Sequence, residues 1–251
     1  MTRGLYISGT GMLLQRRLME NVTNNITNVD TAGYKKDHLV SHSFDDVLVR
    51  RWNDTNIVGF RKYVGPFGWG TQVDQKYTDF SEGSFEQTDL MTDIALPGDV
   101  FFTVETQDGE RFLKAGHFVV NPEGYLTDPE GHFVLGTDGR INVRDDKFTV
   151  TVDGGVYVDG RQVSTLRLAS FEDIGNLRKQ GSNLYYLVDG EAIEPEEYSV
   201  LQGFLENSNV DTGREMVDMM TIYRAYEANQ RIITMIDEIN GKAVNEIGRL
   251  R

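Results

Sequence analysis

The stretch "NVDTGREMVDMMTIYRAYEANQRIITMIDEINGKAVNEI", Asn209 to Ile247, decides how this chain is organised. Met219, Ile222, Tyr226, Asn229, Ile233, Ile236, Asn240, Ala243 and Ile247 recur at spacings that alternate three and four. That rhythm lines up a single helix face, the pattern of helices that pack on helices. Thr212-Gly-Arg-Glu215 fits a capping box, in which the Thr hydroxyl accepts from an N3 amide and the Glu reaches back. A helix over about 212–248 would run roughly 55 Å at 1.5 Å per residue. Ordinary globular helices are far shorter.

The opening of the chain repeats the rhythm. Leu5, Ser8, Met12, Gln15, Met19, Val22, Ile26 and Val29 also alternate three and four. Asp30 and Thr31 then supply turn formers, and Gly33 a stop. Asn-Val-Asp-Thr stands at 28–31 and again at 209–212, once where the first helix should end and once where the last should begin. Short polar side chains at such junctions bond free backbone groups, so capping explains the composition. The candidate junction residues are Asn28, Asp30, Thr31 and Gly33 on one side, and Asn209, Asp211, Thr212 and Glu215 on the other. The candidate assembly seam comprises Leu5, Met12, Met19, Val22, Ile26 and Val29 with Met219, Ile222, Tyr226, Ile233, Ile236, Ala243 and Ile247. The chain holds no third long helix to cover these seams, and exposed apolar seams mark assembly.

Between the helices the pattern changes to strands. "FFTVET", "HFVLG", "KFTVTVD", "GVYVDG", "TLRLASF" and "NLYYLVD" are short, aromatic and β-branched. Asp108-Gly109, Glu123-Gly124, Glu130-Gly131, Asp138-Gly139, Asp153-Gly154 and Asp159-Gly160 punctuate them. This predicts an antiparallel β domain with tight hairpins over about 75–200. Residues 36–74, with the turn-rich "GPFGWG", read as an irregular or extended connector. The expected class is α+β: long terminal helices flanking a central antiparallel β domain.

Composition excludes several functions. The net charge of −14 argues against a phosphate-backbone binder, so no nucleic acid is expected. The surplus is uneven: 1–37 carries five basic and three acidic residues, 213–251 six of each, and the middle holds the rest. With no cysteine, disulfides, thiolate zinc sites and cysteine nucleophiles are out. No run of about 18 apolar residues exists, so no membrane insertion is expected. The N-terminus lacks the apolar core of a cleaved signal peptide.

Catalytic and metal motifs are weak. His38 and His42 lack the carboxylate of a His-Glu-x-x-His site. His117 and His132 sit in strand-like runs and read as structural. "GTGMLL" (Gly9 to Leu14) lacks the third glycine of a dinucleotide loop and fits a closely packed helix better. The acidic loops of "NPEGYLTDPEGHF" (Asn121 to Phe133) are read as hairpin closures rather than calcium or sugar ligands. The Met216, Met219, Met220, Tyr223, Tyr226 and Met235 stripe reads as a helix seam rather than a cofactor pocket. No metal, cofactor or small-molecule substrate is expected. A sugar-binding or hydrolytic β module is a remote alternative, weakened because Trp52 and Trp69 both lie outside the β domain. A monomeric adaptor with internally paired terminal helices is another.

At this point the residues resemble the flagellar rod and hook family. "NNITNVDTAGYKK" (Asn24 to Lys36) is similar to that family's N-terminal signature, and "QGFLENSNVD" with "EMVDMMTIYRAYEANQRII" to its C-terminal one. "EGSFEQTDLMTDIALPGDVFFTVET" and "LASFEDIGNLRKQGSNLYY" resemble its central blocks. The resemblance covers nearly the whole chain in order. Val100 stands where the family usually has Gly before Phe101-Phe102, and Asp89-Leu90 replaces the usual Asn-Pro. The resemblance implies a structural, non-enzymatic subunit of the basal-body rod. Such a subunit is exported by the flagellar type III apparatus without a cleaved signal and polymerises with copies of itself and with other axial rod and hook subunits. It implies a coiled-coil-like inner layer from 1–35 and 205–251, a connector at 36–74 and an outer β domain at 75–204. The short connector with "LVRRWND" (Leu48 to Asp54) looks most like proximal-rod FlgF-type chains, with the distal-rod FlgG type as the alternative.

Overall fold

The computed structural model describes residues 2–50, 63–145, 147–181 and 183–247. It is α+β: helix α1 spans Thr2–Thr27, helix α2 spans Thr212–Lys242, and antiparallel strands lie between them. The chain forms two compact units. The helical unit gathers residues 1–24, 38–77 and 213–251; the β module gathers 25–37 and 78–212.

In the helical unit α1 and α2 run antiparallel. A Cβ on Gly4 would lie 3.1 Å from Ile236 Cδ1, and one on Gly11 would lie 3.0 Å from Asn229 Nδ2. The close approach is therefore made at Gly4 and Gly11, seven residues apart on one face, while Gly9 meets nothing within 4 Å. "GTGMLL" is helical throughout, as the packing reading of that segment requires. α2 is followed by a single π turn, Ala243–Ile247, and the expected end at 248 lies outside the described residues.

The stretch 36–74, expected to be irregular or extended, carries strands. Asp37–Ser43 pairs with Thr71–Thr78, and Val47–Arg50 pairs antiparallel with Tyr63–Phe67. Within the helical unit the Arg3 guanidinium lies over the Trp69 ring at 5.2 Å and the Phe67 ring at 6.0 Å. Such cation–π contacts fasten the end of α1 to this ribbon. Trp52 lies outside the described residues.

The β module is built on one antiparallel sheet. In spatial order its strands are Leu177–Gln180, Leu184–Leu187, Gly109–Leu113, Phe101–Thr106, Phe133–Gly136, Leu126–Thr127 and Val119–Val120. A second, three-stranded sheet joins Phe148–Val150, Gly155–Val158 and Arg161–Thr165. Near the C-terminal end of the module, Leu201–Gln202 pairs with Ile94–Ala95 and Phe204–Glu206 with Phe85–Gln87. Successive strand residues point to opposite faces. Phe102 thus enters the main core with Ile94, Val104, Phe118 and Val134, while Phe101 enters a smaller one with Phe112, Leu177 and Tyr185. The adjacent aromatic pair serves both faces of the sheet. At the two departures from the family pattern, Asp89 takes φ +57° and Val100 is buried. A left-handed Asp is tolerated because its short side chain bonds locally, here accepting from Gln87 Nε2.

Phe102→Ala is expected to destabilise the module by about 3–5 kcal/mol through the cavity it leaves. Leu13→Ala, at an exposed position of α1, should stay within about 0.5 kcal/mol. Urea unfolding followed by near-UV circular dichroism distinguishes them.

Candidate functional site

The β module is entered by residues 25–37 and left by residues 204–212, and these two crossings are locked together inside it. Asn25, in the last turn of α1, is fully buried. Its Nδ2 donates to the Asp37 carbonyl at 3.0 Å, and its Oδ1 accepts from the Asp37 amide and the Tyr34 hydroxyl, both at 3.1 Å. One side-chain amide thus closes the loop between helix and first strand. Gly33 stands at φ +67°, where a Cβ would meet Ala115 backbone atoms at 2.4 Å, so only glycine fits. The Gly33 amide donates to the Glu206 carbonyl at 2.7 Å.

The next residues make the tie. Lys35 Nζ donates to Glu206 Oε1 at 2.6 Å and to the Ser81 carbonyl at 2.8 Å, with both charged side chains 2% exposed. The Lys36 amide donates to Asn209 Oδ1 at 2.8 Å, and Asn209 Nδ2 donates to the carbonyls of Asp79 and Ser81. Lys179 Nζ donates to the Lys35 carbonyl at 2.9 Å and lies 3.5 Å from the centre of the Tyr34 ring. It also reaches Asp37 Oδ2 at 3.4 Å.

A second buried ammonium faces the same carboxylate. Lys114 Nζ donates to the carbonyls of Leu96, Gly98 and Val100 at 2.6, 2.5 and 3.0 Å, and lies 3.7 Å from Glu206 Oε2. The loop carrying Val100 is therefore wrapped around a cation. Burial pushes the Lys114 ammonium down to about 8, against the upward pull of Glu206. Burial also holds the Tyr185 hydroxyl well above the ordinary tyrosine value.

The two Asn-Val-Asp-Thr copies are not equivalent. Asn209 cross-links the crossings, while Asn28 closes its own turn, accepting from the Thr31 hydroxyl at 3.4 Å and, through its carbonyl, from the Thr31 amide at 3.2 Å. Asp30 is exposed. α2 begins at Thr212 itself, which leaves Asp211 rather than Thr212 at the flanking cap position. Glu215 is fully buried in the first turn of α2, where the helix dipole favours negative charge. Sequence reading passed over Asn25, Tyr34, Lys35, Asp37, Lys114, Lys179 and Glu206. Asn25, Tyr34, Lys35 and Glu206 stood inside the two terminal signatures, but nothing in their spacing marked a shared site.

On the helices, Met12, Met19, Ile26, Met219, Ile222, Tyr226, Ile233, Ile236 and Ala243 are half-buried, Val22 is buried and Leu5 is 43% exposed. Val29 falls beyond α1 in the following turn, half-buried. Ile247 ends the π turn, and its side chain lies outside the described residues. Val22 is the sole fully buried apolar side chain among the described residues of the helical unit. Met216, Val217, Met220, Tyr223, Ile232, Met235 and Ile239 of α2, with Leu5, Tyr6, Ile7 and Leu13 of α1, are exposed.

His38 and His42 lie on a strand, where His38 stacks on Tyr77 and His42 bonds Gln72. His117 bonds Asp93 at 2.7 Å. Among the described residues one group has the make-up of a metal site: Asp128, Glu130 and His132, with ligand atoms within 4.8 Å of one another. Asp128 is already engaged, accepting from the His132 amide and bonding its Nδ1, both at 2.8 Å, so it closes the hairpin. No helix among the described residues is long and apolar enough to cross a membrane.

Comparison with known proteins places these features. Residues 5–35 match the family described as "Flagella basal body rod protein", residues 95–158 the "Flagellar hook protein FlgE/F/G D1 domain", and residues 201–246 the "Flagellar basal body rod FlgEFG protein C-terminal". The chain is 34% identical to the flagellar hook-basal body complex protein FlhO of Bacillus subtilis, across the whole of both chains. It is 31% identical to the basal-body rod protein FlgG of Agrobacterium fabrum, over 94% of this chain and 96% of that one. It is 29% identical to the basal-body rod protein FlgF of Caulobacter vibrioides, across both full lengths.

Glu206→Ala strands two buried ammonium groups and is expected to destabilise the β module by about 3–5 kcal/mol in urea unfolding. Lys114 gives a pH signature. Folding lowers its pKa, so between about 8 and 10.5 the unfolded chain keeps a proton that the folded chain releases, and stability rises with pH across that window. Tyr185 works in the opposite sense above about pH 10. The urea midpoint should therefore climb from about pH 7 to 10 more steeply in the wild type than in Lys114→Met. Equal slopes would mean that Lys114 does not titrate in that range.

Proposed function

The chain belongs to the flagellar basal-body rod family, and from that premise we propose that it is a rod subunit that polymerises through the outer faces of its two long helices. It is a structural protein of the flagellar basal body, not an enzyme. The observation that carries the proposal is the contrast between the units. Among the described residues the helical unit holds one fully buried apolar side chain, against 28 in the β module, yet it exposes 16 of the 24 large apolar residues that stand in solvent. A helix depends on packing of its apolar face for most of its stability. An uncovered apolar surface of this size calls for a partner.

In this reading residues 1–35 and 205–251 form a coiled-coil-like inner layer, 36–74 connect, and 75–204 form the outer β domain. The partners are copies of the chain and other axial rod and hook subunits. The flagellar type III export apparatus delivers it without a cleaved signal. The proposal places it in the proximal rod as an FlgF-type subunit, supported by its short connector; relatives named FlgG and FlgF match it at 28–31% and 29% identity respectively. The distal FlgG-type position is the alternative. A tagged copy that remains on rods arrested before distal-rod assembly supports the proximal position, and a tag that is absent there supports the distal one.

A second reading has one observation in its favour. α1 and α2 approach each other at Gly4–Ile236 and Gly11–Asn229, as in an adaptor with internally paired ends. The exposed stripe that this pairing leaves uncovered weighs for assembly. Met220→Glu with Met235→Glu should abolish sedimentable polymer and motility while leaving the β module within about 0.5 kcal/mol of wild type. Polymer that persists in this variant would overturn assembly through these faces, and a wild-type chain that stays monomeric would favour the adaptor.

A further inference from the structure

The β module carries a cleft of about 540 Å³ beside the first Asn-Val-Asp-Thr turn. Ala32, Leu184 and Leu205 contribute apolar floor, and Asp30 and Glu130 stand exposed on its rim. Asn183 reaches into it. Asn183 Nδ2 donates to the Ala32 carbonyl at 3.5 Å, which orients the amide, and leaves Oδ1 shielded from solvent with no hydrogen-bond partner. His117 also lines the cleft but is engaged with Asp93. The cleft thus offers apolar walls and two rim carboxylates. A side chain with a long apolar stem and a planar cationic head suits both, and that side chain is arginine.

The charge distribution says where the arginine comes from. The β module holds 28 acidic and 11 basic residues, a net −17; the helical unit holds 11 and 14, a net +3. Together they give the chain's −14. Two chains of like net charge repel as wholes, so the contact that charge favours is the helical unit of one copy against the β module of another. On α2, Arg224 and Arg231 occupy exposed positions seven residues apart, adjacent to exposed Tyr223 and Ile232. Glu227 stands between them on the same face, so the arginines are two separate cationic points beside apolar Tyr223 and Ile232, a match for the rim and floor of the cleft.

We propose that this cleft is a docking site for the Arg224–Arg231 pair of a second copy of the chain, a contact between β module and helix that sets register in the polymer. The proposal rests on the assembly reading and adds a specific, charge-directed contact to it. Its test is sedimentation velocity of the full chain at about 0.05 and 0.5 M salt, where screening separates charged from apolar contacts. Asp30→Lys with Glu130→Lys should weaken self-association at low salt by about tenfold or more, and Arg224→Glu with Arg231→Glu by a similar factor. Combining all four should restore most of the loss, since swapped charges re-form the contact. Urea midpoints confirm that each variant folds. If the rim variant associates like wild type, or the four-fold swap fails to recover, while Met220→Glu with Met235→Glu still abolishes polymer, the docking site is wrong and the assembly reading stands. If neither set changes association, both are wrong.

Discussion

The Lys35–Glu206 ion pair joins residues 171 positions apart and is closed to solvent at both ends. A buried pair of this kind contributes little net stability, because desolvation offsets most of the attraction. Breaking either side leaves an unpaired charge in a dry interior, which is strongly destabilising. Around it, Gly33, Lys36 and Asn209 add backbone and amide bonds between the same two segments. The chain therefore enters and leaves the β module at one fixed place.

That constraint explains why the ammonium of Lys114 is tolerated. Three carbonyls of the loop from Leu96 to Val100 surround it, and Glu206 supplies the balancing charge. One carboxylate thus serves the helix junction through Lys35 and a core-facing loop through Lys114. The junction is part of the β module's own interior, and the module closes only when residues near both ends of the chain are in place.

The two units divide the labour by how they use apolar residues. The β module buries its own, with Phe101 and Phe102 feeding opposite faces of one sheet. The helical unit spreads its apolar residues around both helices, so pairing of α1 with α2 covers one face and leaves another in solvent. For a free-standing globular protein this is a liability; in the rod subunit proposed above it is the surface available for assembly.

Much of this was legible in the sequence because it is periodic. The alternation of three and four spacings marked both helices, and Asp-Gly and Glu-Gly pairs marked the hairpins, since these patterns follow from local geometry. Asn209 and Gly33 were legible as junction residues for a local reason, capping and chain reversal. Only the folded chain revealed that Asn209 reaches Lys36 across 173 residues, or that Gly33 must be bare because Ala115 backbone lies against it. The strands within 36–74 were missed because their apolar residues are sparse and partly exposed, so no period-two pattern stands out. Local sequence thus determined which segments are helix and which are hairpin, because those choices rest on neighbours three or four positions away. The tertiary structure alone decided that Lys35, Lys114 and Glu206 share one dry site. Burial of charge depends on which distant segments close over it, and no spacing within one segment records that.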